Sequence, residues 1–324
     1  LGYHNAATDQ FRIDGVTGPD EYSSIADNNV YTNLMAQHNL RWAAEAAQRH
    51  PEKAHALGVN VDEPTSWREA AEKMYIHYDE RLGVTSQDEN FTEHKVWDFA
   101  GTAPDQYPLL LHFPYFDLYR KQVVKQADLV LAMQLRGDAF TPEQKAINFA
   151  YYEPLTVRDS SLSASTQAVM AAEVGQLQLA YDYLGEAAFV DLRDLHHNVR
   201  DGLHMASLAG AWTALIAGFG GMRSQNGSLS FAPRLPEAIG RLAFHLMYRG
   251  SRLRVEVKAT EATYRLLDGP PLKVRHHGED ILLSVDGAIT RPIPGIQAGP
   301  RPTQPPGRVP VAREVGAQSK GTPV

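Results

Sequence analysis

Asp14-Gly15-Val16-Thr17-Gly18-Pro19-Asp20-Glu21-Tyr22, followed closely by Asn28-Asn29-Val30-Tyr31-Thr32-Asn33, is the stretch that decides how this chain folds. Gly15, Gly18 and Pro19 sustain neither a helix nor a central strand, so they make a tight turn that fixes where the next side chains point. Asp20 and Glu21 leave that turn at a set angle, directly ahead of a helix. A carboxyl that donates a proton near neutral pH needs a raised pKa. Like-charge repulsion from Asp20 and desolvation by the partly apolar ring of Tyr22 are expected to supply it, which makes Glu21 the candidate general acid. On composition alone, solvated turn residues are the commoner meaning of acidic groups beside Gly-Pro.

Outward from this turn the chain reads first as helices. From Asn28 or Asn29, both good caps, apolar and small residues recur at helical spacing through Leu34, Met35, His38, Trp42 and Ala46 as far as His50 and Pro51. Ser66 with Glu69 forms a capping box that predicts a helix over 66–82, stopped by Gly83. Periodicity predicts further helices over 117–133, from the Thr141-Pro142 cap, over 163–185 and over 207–219. Helix and turn alternating without strands imply consecutive helical hairpins. After Asn226 and Gly227 the pattern changes. Residues 229–231, 242–248, 253–257, 263–267, 272–276 and 281–285 are short β-rich segments between turns, which predicts an antiparallel β domain. The divisions expected are a helical part over 1–225, a β domain over 226–291 and a disordered Pro- and Gly-rich tail over 292–324.

Composition sets the outer limits. With 324 residues, 43% apolar and 9% aromatic, the chain is globular and long enough for about two domains. A net charge of -7, with no basic stripe, gives no footprint for nucleic acid. The absence of cysteine excludes disulfides and thiolate metal sites and fits a reducing compartment, but it does not set the location; the cytoplasmic location expected is a separate reading. The chain opens at Leu1 and reaches its main motif at once, so it reads as the carboxy-terminal part of a longer polypeptide. Met205 to Met222 carries no charge, yet its Gly, Ala, Ser207 and Thr213 suit a helix packed on all sides in a protein interior rather than a membrane span.

The opening motif resembles the acid-catalyst block of glycoside hydrolase family 65, whose members are mostly disaccharide phosphorylases. Further blocks resemble the family's in the same order: Val124-Lys125-Gln126-Ala127-Asp128, Asp159-Ser160-Ser161-Leu162-Ser163, Gly202 to Gly210 around His204, Gly218 to Arg223, and Leu229 to Pro236. The resemblance implies a mainly α chain: the second half of an (α/α)6 barrel, followed by a small antiparallel β-sandwich and the disordered tail. In that setting Phe91, His94, Trp97 and Tyr107, from the irregular aromatic stretch over 84–116, either shape a sugar-binding mouth or seal the helical core.

Inverting hydrolysis of a glycoside needs an acid and a second carboxylate to activate water, whereas phosphorolysis needs only the acid because phosphate is already anionic. Asp159-Ser160-Ser161 places two hydroxyls where a helix begins and free N–H groups attract an anion, although capping is the commoner use of such residues. His204 precedes another helix and either donates to phosphate or is a satisfied core histidine. Lys125 and Gln126 either direct a cation and an amide at sugar hydroxyls or form a solvated face. The resemblance assigns Ser160, Ser161 and His204 to phosphate and Lys125 and Gln126 to sugar. Arg158 stands where many members carry His, and its role is open.

The activity so implied is inverting phosphorolysis of an α-glucosidic disaccharide to β-glucose 1-phosphate and a released sugar. The alternatives are an inverting hydrolase of the trehalase type and an inactive carbohydrate-binding or structural fragment. The expected partners are an α-linked disaccharide and inorganic phosphate, with no cofactor, metal, nucleic acid or membrane, and a homodimer as the assembly of the full-length protein. The 324-residue chain alone is expected to be inactive.

Overall fold

The computed structural model describes residues 2–225 and 227–310. The chain divides into two compact units, one made of Leu1–Ser163 with Arg301–Arg308 and the other mainly of Ala164–Pro300.

In the first unit β1 (Tyr3–Asn5) pairs antiparallel with β2 (Gln10–Arg12). The long helix appears as expected: α1 (Val30–Arg49) is capped by Asn29, whose Oδ1 accepts from Thr32 N at 3.0 Å, and it gives way at Pro51 to α2 (Pro51–Ala56). Instead of 66–82, the next helix is α3 (Glu63–Glu72), because Pro64 opens it a turn earlier. It ends early because its exit is claimed by β2: Phe11 N donates to Lys73 O at 2.7 Å and Tyr75 N to Phe11 O at 2.9 Å.

Two short ladders follow, β3 (Tyr78–Asp79) with β4 (Val84–Thr85), and β5 (Lys95–Val96) parallel to a strand beyond α4 (Tyr115–Leu118), namely β6 (Lys121–Gln122). The helix expected over 117–133 is therefore broken, resuming only as α5 (Asp128–Leu135). Between them the backbone is extended because other segments claim its groups: Val124 exchanges bonds of 3.0 Å with Leu155 O and Val157 N. α6 (Pro142–Tyr152) has the expected start, a reciprocal capping box between Thr141 and Gln144. In the aromatic stretch Phe91 stacks on Tyr152 and Trp97 meets Phe113 edge-on, both buried, so these two seal the core. Trp97 shares its cluster with Tyr22, Leu109, Leu118, Val123 and Val157.

In the second unit the helix expected over 163–185 is two helices, α7 (Ser163–Glu173) and α8 (Leu177–Phe189), separated by Gly175 at φ +87°. α9 (Met205–Thr213) runs on into a π turn over Ala214–Phe219. It is not packed on all sides: Met205, Leu208 and Trp212 are exposed along one face. Among the described residues no helix is long and apolar enough to cross a membrane.

Among the described residues, eight strands complete this unit: β7 (Arg223–Gln225), β8 (Ser228–Phe231), β9 (Arg241–Tyr248), β10 (Ser251–Lys258), β11 (Glu261–Asp268), β12 (Leu272–His276), β13 (Glu279–Leu283) and β14 (Ala288–Pro292). They form two four-stranded sheets, ordered β14-β11-β10-β9 and β13-β12-β8-β7. Alternate residues such as Leu253, Val255 and Val257 from one sheet and Leu229, Phe231 and Val274 from the other meet in one core. Pairing is antiparallel except between β8 and β12, which run parallel. The chain leaves β8 for the other sheet and returns as β12, a connection long enough to restore direction.

Of the tail expected to be disordered, 311–324 lie outside the described residues. Residues 293–310 form no helix or strand but are bound in place: Gln176 Nε2 donates to Gly299 O at 2.7 Å, and Gln304 Nε2 to Glu153 Oε1 at 2.9 Å.

Candidate active site

The opening motif is a closed loop rather than a simple turn. Val16 and Ala26 exchange backbone bonds of 2.9 and 2.8 Å, and Gly15 N donates to Asp27 Oδ1 at 2.8 Å. Gly18 is required by close approach: a Cβ there would lie 2.0 Å from Asp128 Oδ2 and 2.5 Å from Asn29 Nδ2.

Along Asp20-Glu21-Tyr22 burial alternates. Asp20 is fully buried, and its carboxylate accepts from Tyr22 N at 3.2 Å, Lys125 N at 2.9 Å and Gln87 Nε2 at 2.9 Å. Its own N–H donates to Asp128 Oδ1 at 2.6 Å, while Asp128 Oδ2 accepts from Asn29 Nδ2 at 2.6 Å. Burial pushes the Asp20 carboxyl up to about 7 against the pull of its hydrogen bonds. Asp128 is pushed well above the usual carboxylate range, first by burial and then by the charge of Asp20. The two form a floor that retains a proton near neutral pH.

Tyr22 is buried in the core, and its hydroxyl donates to Asp159 Oδ2 at 2.5 Å. Burial and the Asp159 charge push this phenol far up, so it stays a donor at every working pH. Asp159 Oδ2 also accepts from Leu109 N at 3.0 Å, and Oδ1 accepts from Arg308 Nη2 at 2.6 Å.

Glu21 stands out from this floor with its side chain 57% exposed, and its Oε2 meets Lys125 Nζ. The surroundings expected from sequence are thus redistributed. Asp20 and Tyr22 turn into the floor and the core, and the charge facing Glu21 is a cation. Lys125 is itself held at both ends of its peptide unit, its N–H by Asp20 and its carbonyl by Ser163 Oγ at 3.0 Å. Gln126 donates from Nε2 to Pro19 O at 2.6 Å, so its amide clamps the acid loop. Ser160 and Ser161 sit partly exposed in the turn before α7, where Ser160 Oγ accepts from Leu162 N at 3.3 Å. Glu21, Lys125, Gln126 and the Asp159 to Ser161 turn are therefore tied into one constellation within the first unit.

His204 belongs to the second unit. It precedes α9, its N–H donates to Asp191, and its Nδ1 lies 2.6 Å from Asp191 Oδ1. Because the carboxylate only accepts, this bond places the proton on Nδ1 and leaves Nε2 for another partner. The bond from His204 holds the Asp191 carboxyl below its usual range.

Two participants carried no signal in sequence reasoning. Gln87 is buried and bridges the floor, donating to Asp20 while its Oε1 accepts from Asp128 N at 3.2 Å. It opens a polar run, Gln87-Asp88-Glu89-Asn90, and only the fold reveals that Gln87 and Asp88 are buried. The other is Arg308, placed by composition in a disordered tail.

Residues 1–213 match the glycosyl hydrolase family 65 central catalytic domain, and residues 222–283 match that family's C-terminal domain. An uncharacterized glycosyl hydrolase of Mycobacterium tuberculosis is 56% identical over 98% of this chain and 40% of its own length. An alpha,alpha-trehalose phosphorylase of Geobacillus stearothermophilus is 41% identical over 88% of this chain and 38% of its own length. A solved structure from the human microbiome, provisionally named a kojibiose phosphorylase, superposes with a TM-score of 0.79 at 26% identity, covering 90% of this chain and 41% of that one. The chain spans about 40% of the length of the curated relatives it matches. It belongs to glycoside hydrolase family 65.

Proposed function

We propose that the protein catalyses inverting phosphorolysis of an α-glucosidic disaccharide, giving β-glucose 1-phosphate and a released sugar. In this reading the chain contributes the second half of an (α/α)6 barrel and a β-sandwich, and works without a cofactor. Glu21 protonates the leaving oxygen while phosphate attacks the anomeric carbon from the opposite face. The C1–O bond breaks with its electron pair going to the oxygen that Glu21 protonates. Ser160, Ser161 and His204 are assigned to phosphate, and Lys125 and Gln126 to the glucosyl group. Lys125 also orients the Glu21 carboxylate.

The observation that carries this reading is the contrast among the carboxylates around the acid loop. Asp20, Asp128 and Asp159 are enclosed and occupied by donors, while Glu21 is exposed. Inverting hydrolysis calls for a second carboxylate free to activate water on the far side of the sugar. These three are not free to do so, which favours an attacking group that brings its own charge. Named phosphorylases of trehalose, maltose and kojibiose among the relatives point the same way.

The test is to incubate the intact protein with α-linked disaccharides with and without inorganic phosphate. Phosphate-dependent release of β-glucose 1-phosphate is expected. Release of free glucose independent of phosphate would make the protein a hydrolase instead.

A further inference from the structure

Asp159 is a carboxylate almost without water, its side chain 2% exposed, and its orientation is set by three donors. Two of them, the Tyr22 hydroxyl and Leu109 N–H, hold Oδ2 at 2.5 and 3.0 Å. The third, Arg308 Nη2, holds Oδ1 at 2.6 Å from 149 positions away. Arg308 is fixed on other sides as well. Its Nε donates to Val157 O at 2.7 Å, its guanidinium lies 4.6 Å from the centre of the Tyr107 ring, and its carbonyl accepts from Arg158 Nη2. Gln304, four positions earlier, anchors the same segment to Glu153 at 2.9 Å.

A buried carboxylate deprived of its cation keeps the desolvation cost without the compensating attraction. It then turns toward water, and that disturbs the bond from Tyr22 that it accepts. Tyr22 is the residue after Glu21, and Ser160 and Ser161 are the residues after Asp159.

We propose that Arg308 is a positioning residue for the general acid. It keeps Asp159 oriented, Asp159 holds Tyr22, and Tyr22 fixes the exit of Glu21 from its loop. This rests on the reading of Glu21 as the acid, and it gives a segment with the composition of a disordered tail a role in turnover.

The test uses Arg308→Ala, Arg308→Lys and Glu21→Gln in the intact protein, each assayed with a disaccharide and with α-glucosyl fluoride in the presence of phosphate. Fluoride departs with the C1–F electron pair and needs no proton, so only the disaccharide depends on an aligned acid. Arg308→Ala is expected to lower kcat on the disaccharide by about ten- to hundredfold, the scale of a small misplacement, with little change on the fluoride or in KM for phosphate. Arg308→Lys should recover part of that loss. Hydrogen exchange at the Leu109 amide, which donates to Asp159, should speed up in Arg308→Ala and less so in Arg308→Lys. Equal losses on both substrates, or unchanged disaccharide turnover with unchanged Leu109 exchange, would overturn the proposal. Should Glu21→Gln keep normal disaccharide turnover, the acid assignment itself fails, a different outcome that the same series identifies.

Discussion

Replacing Asp20 by Asn removes a charge from the most enclosed position of the site, and its effect on stability has a predictable dependence on pH. Burial holds the folded-state carboxyl at about 7, against an ordinary value of 3.8. Between those values the unfolded chain has released this proton and the folded chain still binds it. The stabilisation is therefore fully present below pH 3.8 and is lost as pH rises through about 7. The slope in that window is at most about 1.4 kcal/mol per pH unit, so the whole window amounts to about 4 kcal/mol.

Asparagine carries no proton to lose in either state, so the variant lacks this slope. It incurs a separate cost that is independent of pH. The donor Gln87 Nε2 sits 2.9 Å from Oδ2, and Gln87 cannot turn over without giving up the 3.2 Å bond its Oε1 accepts from Asp128 N. That mismatch costs about 1–3 kcal/mol. Asp128 adds to the trend in the same direction, because the charge of Asp20 is one cause of its raised pKa. Urea unfolding of both proteins from pH 4 to 8, with exchange at the Tyr22 and Lys125 amides as the local reporter, measures the difference directly. The variant starts less stable and gains on the wild type by about 4 kcal/mol across the range. Parallel curves would refute the reasoning.

Five other substitutions probe the rest of the constellation. Glu21→Gln keeps the shape of the exposed side chain but has no proton to give, so turnover of an unactivated disaccharide should fall by about a hundredfold or more with stability unchanged, read by steady-state rates and thermal unfolding. Ser161→Ala and His204→Ala should raise KM for phosphate far more than KM for disaccharide, and Lys125→Ala the reverse; a matrix of both constants for the three variants checks the division. Gly18→Ala puts a Cβ 2.0 Å from Asp128 Oδ2, and should cost about 1–3 kcal/mol by thermal unfolding through overpacking of the floor.

What could be read from sequence was whatever local chemistry controls. The Asn29 cap of α1 and the Thr141 box of α6 satisfy their own helix ends within three residues, and each appears where the spacing puts it. Strands β9 to β11 alternate strictly because one face meets a core. Readings failed where distant segments outbid local preference. Residues 123–127 have a helical pattern, yet they form a bridge at Val124 and a bend at Lys125 and Gln126, because Leu155, Val157 and Asp20 take their hydrogen bonds. The outward course of Glu21 was legible from the rigidity of its loop. The surroundings of Glu21 were not, since the direction of Asp20 depends on Gln87 and Asp128, far away in the chain. Arg308 was hidden for the same reason: Pro- and Gly-rich composition predicts weak local order but says nothing about a cation finding a buried carboxylate.

The floor also limits how the site can respond to pH, independently of the acid it carries. Asp20 N and Asp128 Oδ1 are 2.6 Å apart, and the other donors to the two carboxylates, the Gln87 and Asn29 side chains and the Tyr22, Lys125 and Gln126 amides, are neutral. Asp88 adds a further acidic neighbour to Asp128, itself raised by burial. Two negative charges face each other only once Asp128, held well above the usual carboxylate range by burial and by the Asp20 charge, has ionised as well as Asp20, and among the described residues no cation is bonded to either carboxylate. Their repulsion falls on the Gly18 to Asp20 loop and on the Lys125 to Asp128 segment, which carry Glu21 and Lys125. Alkaline pH thus pushes apart the support beneath Glu21. The effect is structural, so it should appear in the exchange of the Lys125 amide even where no substrate is bound.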